Sequence, residues 1–178
     1  MKRNNLLQAL NNYKPSPEEQ LFKNNMIDFI EQYENCFERT LAIGHITASA
    51  WIINKENTKA LLMHHAKLDK WFQLGGHCDG NPNVLEVAIK EAQEESGIQN
   101  IMPVNTEIFD IDIHLIPANA KEQAHYHYDV RFLLRVMSDE KIVQNNESKE
   151  LRWIGKNPKE LPTQGISVVR MFNKWLTY

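Results

Sequence analysis

The stretch from Gly76 to Ile98, GHCDGNPNVLEVAIKEAQEESGI, constrains this chain more than any other. Its second half is punctuated as a helix. Asn83 can accept from a free amide at the start, Glu86 stands three residues on, and Gly97 supplies a left-handed cap at the end. Leu85, Ala88, Ile89 and Ala92 fall on one stripe of a 3.6-residue period, which is predicted to face a core. Glu91, Glu94 and Glu95 stand beside that stripe on one helical surface. Like charges so placed cost an isolated helix about 0.2–0.5 kcal/mol per pair. A solvated acidic face is the common meaning of such a pattern. A hard divalent cation is the other, because Mg2+ or Mn2+ takes oxygen ligands. Gly75-Gly76, directly in front, favours the second meaning, since a backbone without side chains can approach an ion or a phosphate closely.

Gly76, Glu91, Glu94, Glu95, Gly97 and Ile98 have the spacing of the Nudix box, G-x5-E-x7-R-E-U-x-E-E-x-G-U with U aliphatic, and the stretch resembles that family's signature. Trp71-Phe72-Gln73-Leu74-Gly75-Gly76 is similar to the strand that leads into the box. Two positions depart from it: the first box glutamate is Pro82, and the box arginine is Lys90. In the family those residues pair to brace the loop against the helix. Glu86 and Glu94, at i−4 and i+4, are placed to hold the Lys90 ammonium instead, so Glu86 and Lys90 are the expected structural brace.

The chain is long enough for one domain with a full core at 178 residues, and its net charge of −3 gives no case for nonspecific nucleic-acid binding. No apolar run reaches transmembrane length, and Met1-Lys2-Arg3 is followed by polar residues, not a secretory segment. Cys36 and Cys78 form no CxxC pair and read as reduced thiols of a cytoplasmic protein. Residues 1–40 read as a helical extension packed on the core or on a second subunit, which leaves a homodimer open. Leu6, Leu7 and Leu10 mark a short first helix. Ser16-Pro17-Glu18-Glu19 reads as a capping box ahead of an amphipathic face of Leu21, Met26, Phe29, Ile30 and Tyr33.

Residues 41–178 form the expected catalytic unit. His45–Ile53 and Thr58–His64 read as strands around a turn at Asn54–Asn57. His64, His65, Lys67 and Lys70 follow in a loop, where Lys67 and Lys70 are candidates to meet phosphates. From Ile108 to Ile116, Phe109, Ile111, Ile113 and Leu115 alternate with Asp110, Asp112 and His114. From Ala124 to Val136, Tyr126, Tyr128, Val130, Phe132 and Leu134 face the core side, opposite His125, His127, Asp129 and Arg131. Two strands carrying acids and histidines suggest a polar groove, so His114, His125, His127 and Asp129 are candidate substrate-binding residues. A His-x-His pair on a strand can also hold zinc, with His114, His77 or Cys78 as the other candidate ligands. A last helix begins near Ser167, with Val169, Phe172 and Leu176 as its core stripe and Trp175 close by.

The resemblance implies a Nudix α/β/α sandwich with a mixed sheet, here with an N-terminal helical extension. It implies hydrolysis of a nucleoside diphosphate linked to another moiety, with Mg2+ as cofactor and Mn2+ as a substitute. It makes Glu94 and Glu95 metal ligands, helped by a backbone carbonyl of Gly75-Gly76, and Glu91 a ligand or the general base. A further acid often precedes the last strand in the family, and Glu147 and Glu150 are the candidates. The alternatives from other classes are a noncatalytic Nudix nucleotide-binding sensor and a His-rich zinc protein.

Overall fold

In a computed structural model, residues 3–119 and 122–178 are described. They form an eight-stranded mixed sheet with helices against both faces. Strands β1 (Gly44–Ile53) and β7 (His125–Val136) lie side by side at its centre, parallel over ten residue pairs from Gly44↔Tyr126 to Ile53↔Arg135. Strands β2 (Lys59–His65), β3 (Trp71–Phe72) and β8 (Ser148–Gly155) extend it one way. β4 (Leu74–His77) pairs with β1, while β5 (Ile101–Pro103) and β6 (Asp110–Ile116) pair with β7. Among the described residues no helix is long and apolar enough to cross a membrane.

Every residue of β1 is buried, so both rows of this strand serve a core. The even row, Ile46, Ala48, Ala50 and Ile52, joins Val130, Phe132 and Leu134 of β7 beneath helix α3 (Val84–Ser96). The N-terminal helices α1 (Arg3–Asn12) and α2 (Gln20–Gln32) close the same core with Leu6, Leu10, Met26, Phe29 and Ile30. Phe29 stacks on Tyr128 with ring centroids 3.9 Å apart. Leu21 does not join that face and is exposed. The capping box at Ser16 is half made: the Ser16 amide donates to Glu19, but the helix begins only at Gln20.

The odd row changes character along its length. At one end Trp51, Ile53 and Leu133 pack under α4 (Ile166–Leu176), whose buried stripe is Val168, Met171, Phe172 and Trp175. Val169 and Leu176 therefore do not form the stripe. The helix is rotated by about one residue from the apolar reading because Arg170 shares its buried side. In the middle of the row lies an ion network. Arg131, 1% exposed, donates to Asp110, Asp112 and Asp129 at 2.7–3.1 Å. Arg170 reaches Asp110 and Asp112, and Lys174 reaches Asp110 and Glu19 at 2.8 and 2.6 Å. The acids of β6, expected to line a groove, are thus structural, with Asp110 wholly buried.

Glu19 ties the N-terminal segment into this network. Burial raises its pKa, but hydrogen bonds from Lys174, Tyr13 and the Ser16 amide outweigh that and hold it at about 2, against an ordinary 4.5. A depressed carboxylate contributes stability above the unfolded value, and the contribution is lost as pH falls from 4.5 towards 2. Glu19→Gln is expected to cost about 2–3 kcal/mol at pH 7, with wild type and variant converging near pH 2. Urea unfolding across that range checks it.

Candidate active site

Helix α3 ends as its sequence demands: Gly97 takes φ 74° and its amide donates to Gln93. The start differs, for Asn83 makes no cap and instead donates its side-chain amide to Glu86. The buried side is set by Val84, Val87, Ala88 and Ala92, with Leu85 and Ile89 only partly covered. This rotation separates the three acids. Glu95 is buried, Glu91 is half-buried and Glu94 is exposed. One turn apart, Glu91 and Glu95 share the inward edge of the helix.

The Gly75-Gly76 backbone runs directly against that edge. The Gly75 amide donates to the Glu95 carboxylate at 2.8 Å. A Cβ on Gly76 would lie 2.5 Å from a Glu91 carboxylate oxygen, and one on Gly75 would run into Ser49. Glycine at both positions is what lets strand and acids meet. Glu147, in the loop before β8, completes the group through a hydrogen bond with Glu95. Glu150 is elsewhere, paired with Arg152.

The electrostatics of the group are unfavourable without a counter-charge. Burial raises the Glu95 pKa to about 8, with Glu91 and Glu147 adding to the shift, and the Gly75 amide only partly opposing it. Burial also raises Glu91, whose neighbour Lys90 acts against the shift. Lys90 pairs with Glu91 at 3.5 Å and Glu94 at 3.1 Å, on the open side of the helix. The expected brace from Lys90 to Glu86 is replaced by these contacts, because Glu86 is engaged by Asn83 at the helix start.

The loop carrying Lys67 and Lys70 lies against the Glu147 loop, where the Ala66 amide donates to the Glu147 carbonyl at 2.8 Å. Both lysines are exposed. Asp129, expected at the substrate, is buried and accepts from Thr47, Ser49, Gln73 and Arg131. With its lone pairs so engaged it positions the sheet and does not grip a ligand.

The histidines converge, in a manner the alternation of β7 alone did not show. His127 pairs in register with His45 of β1 on one side and His114 of β6 on the other. His77 of β4 packs on both His45 and His127, with ring centroids 5.1 and 5.0 Å apart. His125 meets His127 with their Nε2 atoms at 3.3 Å. Burial, with the neighbouring imidazoles, lowers His45 to about 4 and His127 to about 2. His45 had no signal beyond its place on a polar strand row; its role appears only once β1 and β7 are paired.

The shift of Glu95 has a sign that can be tested in metal-free protein. Below pH 4.5 the group is protonated folded and unfolded alike; from 4.5 to 8 only the unfolded chain releases the proton, so stability falls as pH rises. Glu95→Gln keeps the acceptor for Gly75 and removes this loss. In EDTA the variant is expected to be more stable than wild type by about 1–3 kcal/mol at pH 8, and equal to it near pH 4.5, by urea denaturation.

Residues 44–166 match the family model of the NUDIX domain. Among solved structures, a NUDIX-family hydrolase from Clostridium perfringens is similar at 28% identity and a TM-score of 0.57, covering 74% of this chain and 95% of that one. A C. elegans Ap4A hydrolase in a binary complex has a TM-score of 0.59 at 15% identity, with 74% and 95% covered. A UDP-X diphosphatase has a TM-score of 0.54 at 15% identity and covers 99% of this chain and 96% of that one. The chain has no significant match among curated proteins.

Proposed function

The chain belongs to the Nudix family of pyrophosphohydrolases, and from that premise we propose that it is a Mg2+-dependent enzyme cleaving the diphosphate of a nucleoside diphosphate linked to a second moiety. The observation that carries this reading is Glu95, a buried carboxyl raised to about 8, crowded by Glu91 and Glu147 under a strand of glycines. Such a group fits a hard divalent ion, which takes carboxylate and carbonyl oxygens and relieves the repulsion among them. Glu95, Glu91, Glu147 and a carbonyl of Gly75-Gly76 would hold it. Glu94, on the open side and paired with Lys90, would be a further ligand if freed from that lysine. When bound, Mg2+ or Mn2+ supplies charge neutralisation at the phosphoryl oxygens and a more acidic water.

The protein's own residues divide the rest. The Gly75 amide fixes the Glu95 carboxylate, so the deepest acid is a positioned ligand. Glu91, half-buried with a pKa raised by burial and held by no backbone amide, is the proton acceptor for an attacking water, since a raised pKa makes a carboxylate a stronger base. Lys67 and Lys70, beside the Glu147 loop, supply positive charge where a departing phosphate enters solvent. His114, about half exposed opposite His127, lies on the sheet face away from the carboxylates, beside Asp112, and is left out of the contacts to the diphosphate. Two structural neighbours are named for nucleotide substrates, Ap4A and UDP-X, which supports a nucleotide-type substrate. Residues 41–178 would then be the hydrolase unit, with 1–40 as its cover.

A hydrolysis screen over nucleoside triphosphates, nucleotide sugars, dinucleoside polyphosphates and dinucleotide cofactors tests the reading. Turnover is expected with Mg2+ or Mn2+ and is expected to vanish in EDTA; turnover undiminished in chelator would reject it. On the best substrate, Glu91→Gln and Glu95→Gln are each expected to lower kcat at least about a hundredfold. Measured at saturating Mg2+, where protonation of a metal ligand no longer limits the rate, Glu91→Gln is also expected to abolish the acidic limb of the kcat profile. Lys90→Met is expected to leave kcat within about threefold, since its surface pairs contribute only about 0.5 kcal/mol.

A further inference from the structure

The sheet face away from the carboxylates carries a second group of convergent ligands. Along β4, Gly76 faces Glu91 of α3 while the next residue, His77, points to the opposite face. There one ring nitrogen from each of His45, His77 and His127 lies within 4.8 Å of the other two. Three strands supply them, β4 and β7 flanking β1. His45 is 2% exposed, and both of its ring nitrogens lack any hydrogen-bond partner. Two unsatisfied polar atoms in one buried side chain are costly, about 1–3 kcal/mol each, and call for a partner.

We propose that His45, His77 and His127 bind a divalent transition-metal ion, Zn2+ in the first place, with His125 as the fourth ligand. Imidazole nitrogen is a zinc donor and a poor choice for Mg2+, so the two faces of the sheet select different metals. The His125 Nδ1 lies 2.8 Å from the Gln123 carbonyl, which fixes its proton there and leaves Nε2 as an electron-pair donor facing His127. This carbonyl-anchored ring is the outer-shell arrangement that orients metal-bound histidines. The separation of 3.3 Å between the Nε2 atoms of His125 and His127 equals that of two ligands on a tetrahedral zinc, about 3.3 Å for Zn–N bonds of about 2.0–2.1 Å. The competing account, neutral rings packed against one another, leaves His45 without a partner. An ion gives one of its nitrogens a bond. The site clamps β1 to both neighbours at the end of the sheet that lacks the ion network and α4. It does not depend on the carboxylate site or on the hydrolytic reading.

The experiment titrates the metal-free full chain with Zn2+, and with Co2+ as a spectroscopic probe. A Glu91→Gln/Glu95→Gln variant is titrated in parallel to remove the carboxylate site. One ion per chain is expected in the variant and one further, weaker equivalent in the wild type, with a strong visible Co2+ band of tetrahedral nitrogen ligation in both. His45→Asn and His127→Asn are each expected to weaken Zn2+ binding at least about a hundredfold. Should those variants fail to fold, long-range 1H–15N spectra of the wild-type imidazoles decide the matter. Zn2+ is expected to shift His45, His77, His125 and His127 and to leave His64 and His65 in place. The proposal is overturned if Zn2+ binding is lost in the glutamate variant and retained in the histidine variants. It is equally overturned if the four rings shift with pyrophosphate and not with Zn2+, which would make them a substrate surface.

Discussion

The structure depends on the parallel ladder between β1 and β7, and on the fact that it holds for ten residues without a slip. A period of two makes register absolute: one residue of displacement would turn every side chain of the odd row to the other face. That row then runs His45–His127, Thr47–Asp129, Ser49–Arg131, Trp51–Leu133, from imidazoles through hydrogen-bonded ions to an aromatic core. Each pair is chemically matched only in this register. A slip would place Arg131 in the apolar layer beneath α3, where a bare guanidinium cannot be satisfied. The buried ions thus discriminate against alternatives as much as they stabilise the chosen one.

Two consequences for the acids of α3 follow from the same frame. β4 is added to β1 at Ser49↔Gly75 and Ala48↔Gly76, which brings glycines over the helix edge that carries Glu91 and Glu95. Burial then does to these carboxylates what it does to any charge removed from water, and raises the affinity of the proton for them. A cation bound there would compete with that proton for the same oxygens. Glu94, three residues from Glu91 and one from Glu95, escapes this environment because the helix presents a different side at that angle.

Much of the fold was legible. The helix over the box, its Gly97 cap and the strands at 45–53, 58–64, 108–116 and 124–136 were found within a residue or two, since alternation and punctuation are local. What lay beyond reach was which polar row would be covered. Asp110, Asp112 and Arg131 look the same on paper whether they meet water or one another. The further partners of the two aspartates, Arg170 and Lys174, come some sixty residues later. Arg170 also displaced the reading of α4 by one position, because hydrophobic periodicity takes a buried arginine for an exposed one. At the candidate site, spacing alone put three glutamates on one surface, and only packing could rank them by depth. His45 gave no warning, for its three neighbours come from strands that sequence order separates.

The first forty residues look, on a linear map, like an appendage to the part that matches the NUDIX domain. Leu10, Met26 and Ile30 nevertheless have no exposed surface, Phe29 lies flat on Tyr128, and Glu19 holds Lys174 of the last helix. A fragment starting at residue 41 would therefore present an open hydrophobic wound along β7 and release the anchor of α4 at once. Loss at one terminus would be felt at the other. Variation in the leader segment and in the closing helix should accordingly be correlated among relatives, as happens when two distant stretches guard a single seam.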